Sequence, residues 1–401
     1  MSYRRPFDLE ALRREYGAFL RPGRVLLSGH SHQAWPDAAR GAMAACFDDA
    51  AEHVDAKWGR AVFPLRDRVA RGVLARLGFP ETDALAFGQS AHELVFRLLS
   101  CFPFTPETHV VATTGEFHSL FRQLSRLAEA GVRVTWVEAD PRDSLAERLL
   151  EAVRPGVACV ALSAVLFEDA TVVRGLGEVV RRADEVGALP LVDAYHAFNV
   201  VPVDYGPAAA RAFVVAGGYK YAQFGEGVCF LRVPAGSALR PLHTGWFADF
   251  AALEGPRSGG PVGYGPGAER FAGSTFDPVG LYRAAAALDL FDRFGLSVEA
   301  LRALSLHQTG LLLEAAAAHP LARSGRLAIA TPREPERRGG FVALRTPHAR
   351  RAVERLREAG VYADARGDLL RLGPAPYLRD DEIEAGAARA LAALDALERG
   401  A

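Results

Sequence analysis

Lysine is almost missing from this chain. Of its 47 Lys and Arg residues, only Lys57 and Lys220 are lysines. Every other cationic position carries a guanidinium, which stays protonated and cannot form a Schiff base. Chemistry that needs a side-chain amine therefore has two candidates. Cysteine is also scarce: Cys46, Cys101, Cys159 and Cys229 are scattered with no C-x-x-C pair. That pattern argues against zinc ligation and fits reduced thiols in a cytoplasmic protein. The formal net charge is −1, which removes any electrostatic case for a nucleic-acid or membrane-surface partner. No apolar run reaches the length of a membrane span. The opening stretch "MSYRRPFDLEALRREYGAFL" is charged throughout and has no apolar centre, so no signal peptide is expected.

What is present is an alternating pattern. Half of the 401 residues are hydrophobic and 24% are charged, as in a globular protein with a sizeable core. Candidate strands are "ALAF" at 84–87, "HVVATT" at 109–114, "VRVTWVEA" at 132–139, "VACVALSAV" at 157–165, "LPLVDAY" at 189–195, "AFVVAG" at 212–217 and "VCFLRV" at 228–233. Amphipathic helical runs separate most of them, such as 91–102 and 172–187. Strand–helix alternation on this scale predicts an α/β fold, with a mostly parallel seven-stranded sheet covered by helices on both faces. Residues 238–277, rich in Gly, Pro and aromatics, read as long ordered loops. A long helix is predicted at 278–295, then short strands near "LAIATP" and "GFVALRTP", a helix at 347–359 and a last one at 380–399. "PREPERRGG" at 332–340 reads as a solvated turn. The expected division is an N-terminal segment (1–60), a large α/β domain (61–290) and a smaller α+β C-terminal domain (291–401).

Ligands of open α/β sheets bind outside the carboxyl ends of the strands, and four of these ends carry unusual residues. The first gives "GQSAHE", a strand-to-helix turn at Ser90, Ala91 and His92 whose free N–H groups suit an anion. It lacks G-x-G-x-x-G, which argues against a dinucleotide. The second leads to Phe117, a candidate to stack on a planar group. The fifth ends in "VDAYH", with Asp193 and His196, and the sixth runs into Tyr219 and Lys220. Asp193 precedes Lys220 by 27 residues, about one strand–crossover–strand unit, so both side chains can face one ligand. An amine and a buried carboxylate so placed suit pyridoxal 5'-phosphate (PLP): the amine forms the Schiff base, and the carboxylate keeps the pyridine nitrogen protonated. Arg371, in "DLLRLGPAPYLRD", is a candidate fork for a substrate carboxylate.

These residues resemble the class V (cysteine desulfurase-like) branch of the fold-type I PLP-dependent enzymes, and within it kynureninase. The resemblance runs from about residue 24 to 395. It rests on "VDAYH", "GYKY" and "TGWF" at 244–247, with "RFAGSTFDP", "LLSGHSHQAWP" and "LRLGPAPY" as further segments in the family's order. It implies the aspartate aminotransferase-like fold, with PLP held on Lys220 and paired with Asp193. It places His196 near the cofactor, Tyr219 on its phosphate, Ser90, Ala91 and His92 at the phosphate turn, Phe117 on the ring and Ser163 at a cofactor-contacting strand end. Trp246 and Thr275 would reach the partner's site in a homodimer. Arg371 would hold the carboxylate of a small-molecule amino-acid substrate, and His30 is a further candidate for substrate binding.

The chain departs from kynureninase on the substrate side. Phe117-His118-Ser119-Leu120 stands for Phe-Pro-Ser-Asp, and "SAVLFEDATVV" for a tyrosine-rich segment. Gly29-His30, with His32 two positions on, replaces glycine-asparagine, and Thr275 replaces an amide. The implied activity is hydrolytic C–C cleavage at the β-carbon of a kynurenine-type substrate. Class V transamination, another PLP lyase or epimerase reaction, and a non-catalytic PLP-fold protein stay open. Cysteine desulfuration is disfavoured, because it needs a mobile cysteine in the C-terminal half and none follows Cys229.

Overall fold

A computed structural model describes residues 4–254 and 260–400. All seven expected strands form one sheet: β1 (Ala84–Gly88), β2 (His109–Thr113), β3 (Arg133–Val137), β4 (Cys159–Ser163), β5 (Leu189–Asp193), β6 (Phe213–Gly217) and β7 (Cys229–Val233). Their spatial order is β1-β7-β6-β5-β4-β2-β3. Every pairing is parallel except the two made by β7. Because β7 runs against both neighbours, β1 points the same way as β6, and its carboxyl end reaches the same edge. The central strands are buried along their whole length, which is why they read as unbroken apolar runs rather than as alternating ones. Two large apolar clusters cover the sheet's faces.

Helices α1 (Ala38–His53) and α2 (Phe63–Leu77) precede the sheet. Then α3 (Ala91–Leu99) follows β1, and α4 (His118–Glu129) follows β2. The expected helix at 172–187 begins only at Leu176. Thr171 and Val172 are instead held in isolated bridges to Arg338 and Val165. Between 238 and 277 the chain makes two 3-10 segments, Trp246–Glu254 and Gly267–Phe271. The part of that expected loop at 255–259 lies outside the described residues.

The C-terminal part holds a second, antiparallel sheet of β8 (Ala328–Ile329), β9 (Val342–Arg345), β10 (Asp364–Arg366) and β11 (Leu369–Leu372), in the order β10-β11-β9-β8. The long helix Val298–Ala318 and the last helix Asp380–Glu398 pack together beside it. Val25–Leu26 pairs in parallel with Val361–Tyr362, tying the N-terminal segment to this half. The expectation of a solvated turn at 332–340 needs correction. Residues 333–336 are exposed, but Arg338, Gly339 and Gly340 are buried. The Arg338 guanidinium donates to Thr309 Oγ1 and to the carbonyls of Arg333 and Leu306. A buried cation that caps backbone carbonyls looks like a surface charge in composition.

Candidate active site

The carboxyl ends of β1, β2, β5 and β6 surround a cavity of ≈ 250 Å³ lined by Ser90, Phe117, Asp193, His196, Tyr219 and Lys220, among others. Each wall follows from a local device. The turn after β1 ends at Ser90, whose extended backbone starts α3 and whose Oγ accepts the Glu93 N–H at 3.2 Å. That is an N-cap, and the N–H groups of the first helical turn lack helical acceptors. Ala91 and His92 lie on that turn and line the cavity. Gln123 of α4 pins His92, with its Nε2 2.6 Å from the imidazole Nδ1 and 2.8 Å from the backbone carbonyl.

Asp193, the last residue of β5, accepts the Tyr195 N–H at 2.8 Å on Oδ1. Burial raises its pKa, against the pull of that N–H and of Lys220. The lysine follows β6 in a closed loop in which Gly218 N–H donates to Val228 and Phe224 N–H to Gly218. Gly217 is required here, because a Cβ would run into the Tyr195 hydroxyl and Cys229 Sγ. Lys220 is 5% exposed. Burial pushes its pKa down to about 7, against the opposing pull of Asp193. Its Nζ lies 2.6 Å from His196 Nε2 and 5.5 Å from the centre of the Phe117 ring. Burial and the neighbouring Lys220 keep His196 neutral, so its Nε2 can accept from the amine. The other lysine, Lys57, stays half-buried beside Trp58, away from this cavity.

Five sequence candidates lie elsewhere. Ser163 is buried at the end of β4 and does not line the cavity. Its Oγ donates to Glu116 Oε2 at 2.6 Å, and Thr113 Oγ1 donates to Oε1 of the same carboxyl. Burial raises Glu116 to about 7, so a second titrating acid lies behind Asp193. Trp246 is 44% exposed and stacks against Phe247 and Phe250. Thr275 lines an adjoining depression that shares Gln89 with the main cavity. Arg371 and His30 stand behind Phe167 and Phe341 (whose ring centres are 6.5 and 6.3 Å from that of His196), and both contact Asp364. Sequence reasoning missed Tyr195, Gln123, Glu116 and Asp364. For Asp364 a signal existed: in "DARGDLLR" a Gly-Asp turn sets Asp364 opposite Arg371 across a hairpin.

Residues 301–391 match the family model described as the kynureninase C-terminal domain. Over 232 residues the chain is 26% identical to the uncharacterized aminotransferase YcbU of Bacillus subtilis (strain 168), a match covering 57% of this chain and 59% of that relative's length. Among solved structures, a lysine-to-alanine mutant of C-DES with glycine covalently linked to its PLP cofactor superposes with a TM-score of 0.79 at 17% identity, covering 94% of this chain and 98% of that one. Cysteine desulfurase CsdA from Escherichia coli gives 0.80 at 16% identity, covering 97% and 99%. The chain has the fold of these class V, fold-type I proteins.

Proposed function

We propose that this protein is a PLP-dependent enzyme acting on the amine-bearing carbon of an amino-acid-type substrate, with kynureninase-like hydrolytic cleavage at the β-carbon as its reaction. The observation that carries this reading is Lys220: a buried amine with a pKa of about 7, in one cavity with a carboxylate and a helix N-terminus. The donor set fits the cofactor. The start of α3, with Ser90, Ala91 and His92, suits its phosphate, with Tyr219 beside it. Phe117 suits a ring face, and Asp193 the ring nitrogen.

When bound, PLP supplies an electron sink for charge developing at the substrate carbon. The chain's own groups do the rest. Lys220 Nζ, half deprotonated near neutral pH, takes a proton from that carbon and returns it. Neutral His196 fixes Nζ from 2.6 Å. The Tyr195 N–H holds the Asp193 carboxylate in one orientation. Val95, Phe117 and Leu120 form the apolar part of the wall and limit water near the reacting atoms.

The same reading includes a cytoplasmic homodimer. The exposed aromatics Trp246 and Phe250 fit a surface that a second copy covers, with Trp246 and Thr275 facing the partner's site. Transamination is the second reading, favoured by the name of the Bacillus relative. Cysteine desulfuration is disfavoured here. The one cysteine lining the cavity, Cys229, sits in β7, and burial pushes its thiol up to about 11.

The test is the visible spectrum of the purified protein given PLP, before and after borohydride reduction, with a peptide map of the product. A Schiff-base band that reduction fixes on Lys220 is the expected result. A colourless protein with Lys220 unmodified would sink the proposal.

A further inference from the structure

Helix α4 turns one face to the cavity. Ser119, Leu120 and Gln123 all line it, and the spacing of four and three positions puts them side by side on a helix surface. Helices α3 and α4 pack together, which brings the Gln123 amide to the first turn of α3. Its Nε2 donates twice to one residue, to the His92 carbonyl at 2.8 Å and to the imidazole Nδ1 at 2.6 Å. Its Oε1 is buried with no partner among the described residues, so His92 sets the orientation of the amide.

The two bonds together fix the imidazole. A carbonyl oxygen only accepts, so the amide atom that meets the His92 carbonyl is the nitrogen. Reversing the amide would set two oxygens against each other. With the nitrogen so placed, Nδ1 receives an N–H and offers its lone pair, and the proton of the neutral ring sits on Nε2. His92 itself lines the cavity. Its side chain is therefore presented as a donor, beside backbone N–H groups of the first helical turn that lack helical acceptors. In the other tautomer Nε2 would set a lone pair against the oxygens of an anion. A bond to the carbonyl alone would tie α4 to α3; the second bond, to Nδ1, selects the tautomer.

We propose that Gln123 is a positioning residue for the phosphate subsite: it holds His92 in the tautomer protonated on Nε2, so that the start of α3 offers the cofactor phosphate a side-chain donor as well as its backbone N–H groups. The inference rests on the PLP reading and deepens it at one subsite. Gln123 acts through His92 and has no contact of its own with the phosphate.

The experiment titrates the apoprotein with PLP and with pyridoxal, which lacks the phosphate, and reads Kd from the Schiff-base band. Gln123→Met should weaken PLP roughly fivefold or more and shift pyridoxal less than about threefold, as expected when a hydrogen bond to a charged group is lost. Gln123→Asn, one methylene short of His92, should behave alike, and circular dichroism checks the fold of both. His92→Phe should cost PLP at least as much. Adding Gln123→Met to His92→Phe should then change Kd by less than about twofold, because the two residues act as one unit. Nitrogen NMR of histidine-labelled protein should show the His92 ring, assigned by its loss in His92→Phe, protonated on Nε2 in the native chain and mixed in Gln123→Met. Losses that are equal for PLP and pyridoxal, losses that add in the double variant, or a native ring protonated on Nδ1 would each overturn the inference. Reduction onto Lys220 is scored separately. A native protein that takes up neither compound overturns the functional proposal and this inference with it, whereas one that binds PLP on Lys220 with an affinity indifferent to Gln123 overturns this inference alone.

Discussion

The amine of Lys220 is displaced from ordinary lysine behaviour by burial, and the displacement can be measured. An exposed lysine is almost fully protonated at neutral pH, because its usual pKa is about 10.4. With a pKa of about 7, half of Lys220 is free to react near neutrality. The rate at which the apoprotein captures PLP should therefore rise between about pH 6 and 8 and then level off, as read by growth of the Schiff-base band. A rate still climbing steadily at pH 10 would mean an unshifted amine. Lys220→Arg keeps the cation and removes the nucleophile, so the reduced protein should carry no label. Asp193→Ala should still bind some PLP yet lose roughly 10²-fold or more in kcat, the scale of losing a group that acts in the transition state. Near-full turnover would remove Asp193 from that role.

Single elements were legible in the sequence to different depths. The central strands of the main sheet were readable because burial on both faces leaves uninterrupted apolar runs, and the turn at Ser90 because N-caps have a local signature. Replacing Ser90 with Ala should cost about 1 kcal/mol of stability, checked by urea denaturation, and should weaken PLP retention measured by dialysis. Unchanged stability would mean that the α3 cap contributes nothing. Longer-range partnerships were not legible. Arg338 looked like a solvated charge, although three acceptors enclose it. Glu116 acquires its raised pKa from burial, and its partner Ser163 is 47 residues away. Asp364 could have been paired with Arg371 from the hairpin, but His30 joins them from the other end of the chain. Spacing reveals partners on one element or one hairpin, and it is silent about those that tertiary packing brings together.

On the scale of the whole molecule, the N-terminal segment is locked into the C-terminal half. Val25 pairs with Val361 and Leu26 with Tyr362, and the next residue, Leu27, is fully buried against Gly386 of the last helix. Leu27→Ala should destabilise the protein by roughly 2–5 kcal/mol. It should also expose the C-terminal half to limited proteolysis before the α/β sheet; loss of both together would show that the lock is not local. The partners Val25 and Val361 are 336 residues apart. On a ribosome adding about 5–20 residues each second, the first waits roughly 20–70 s for the second to be made. For that interval the early segment, with apolar Val25, Leu26 and Leu27, has no native strand to join. Its exposure during synthesis marks it as a stretch for a chaperone to guard, and His30 cannot meet Asp364 until translation is nearly complete.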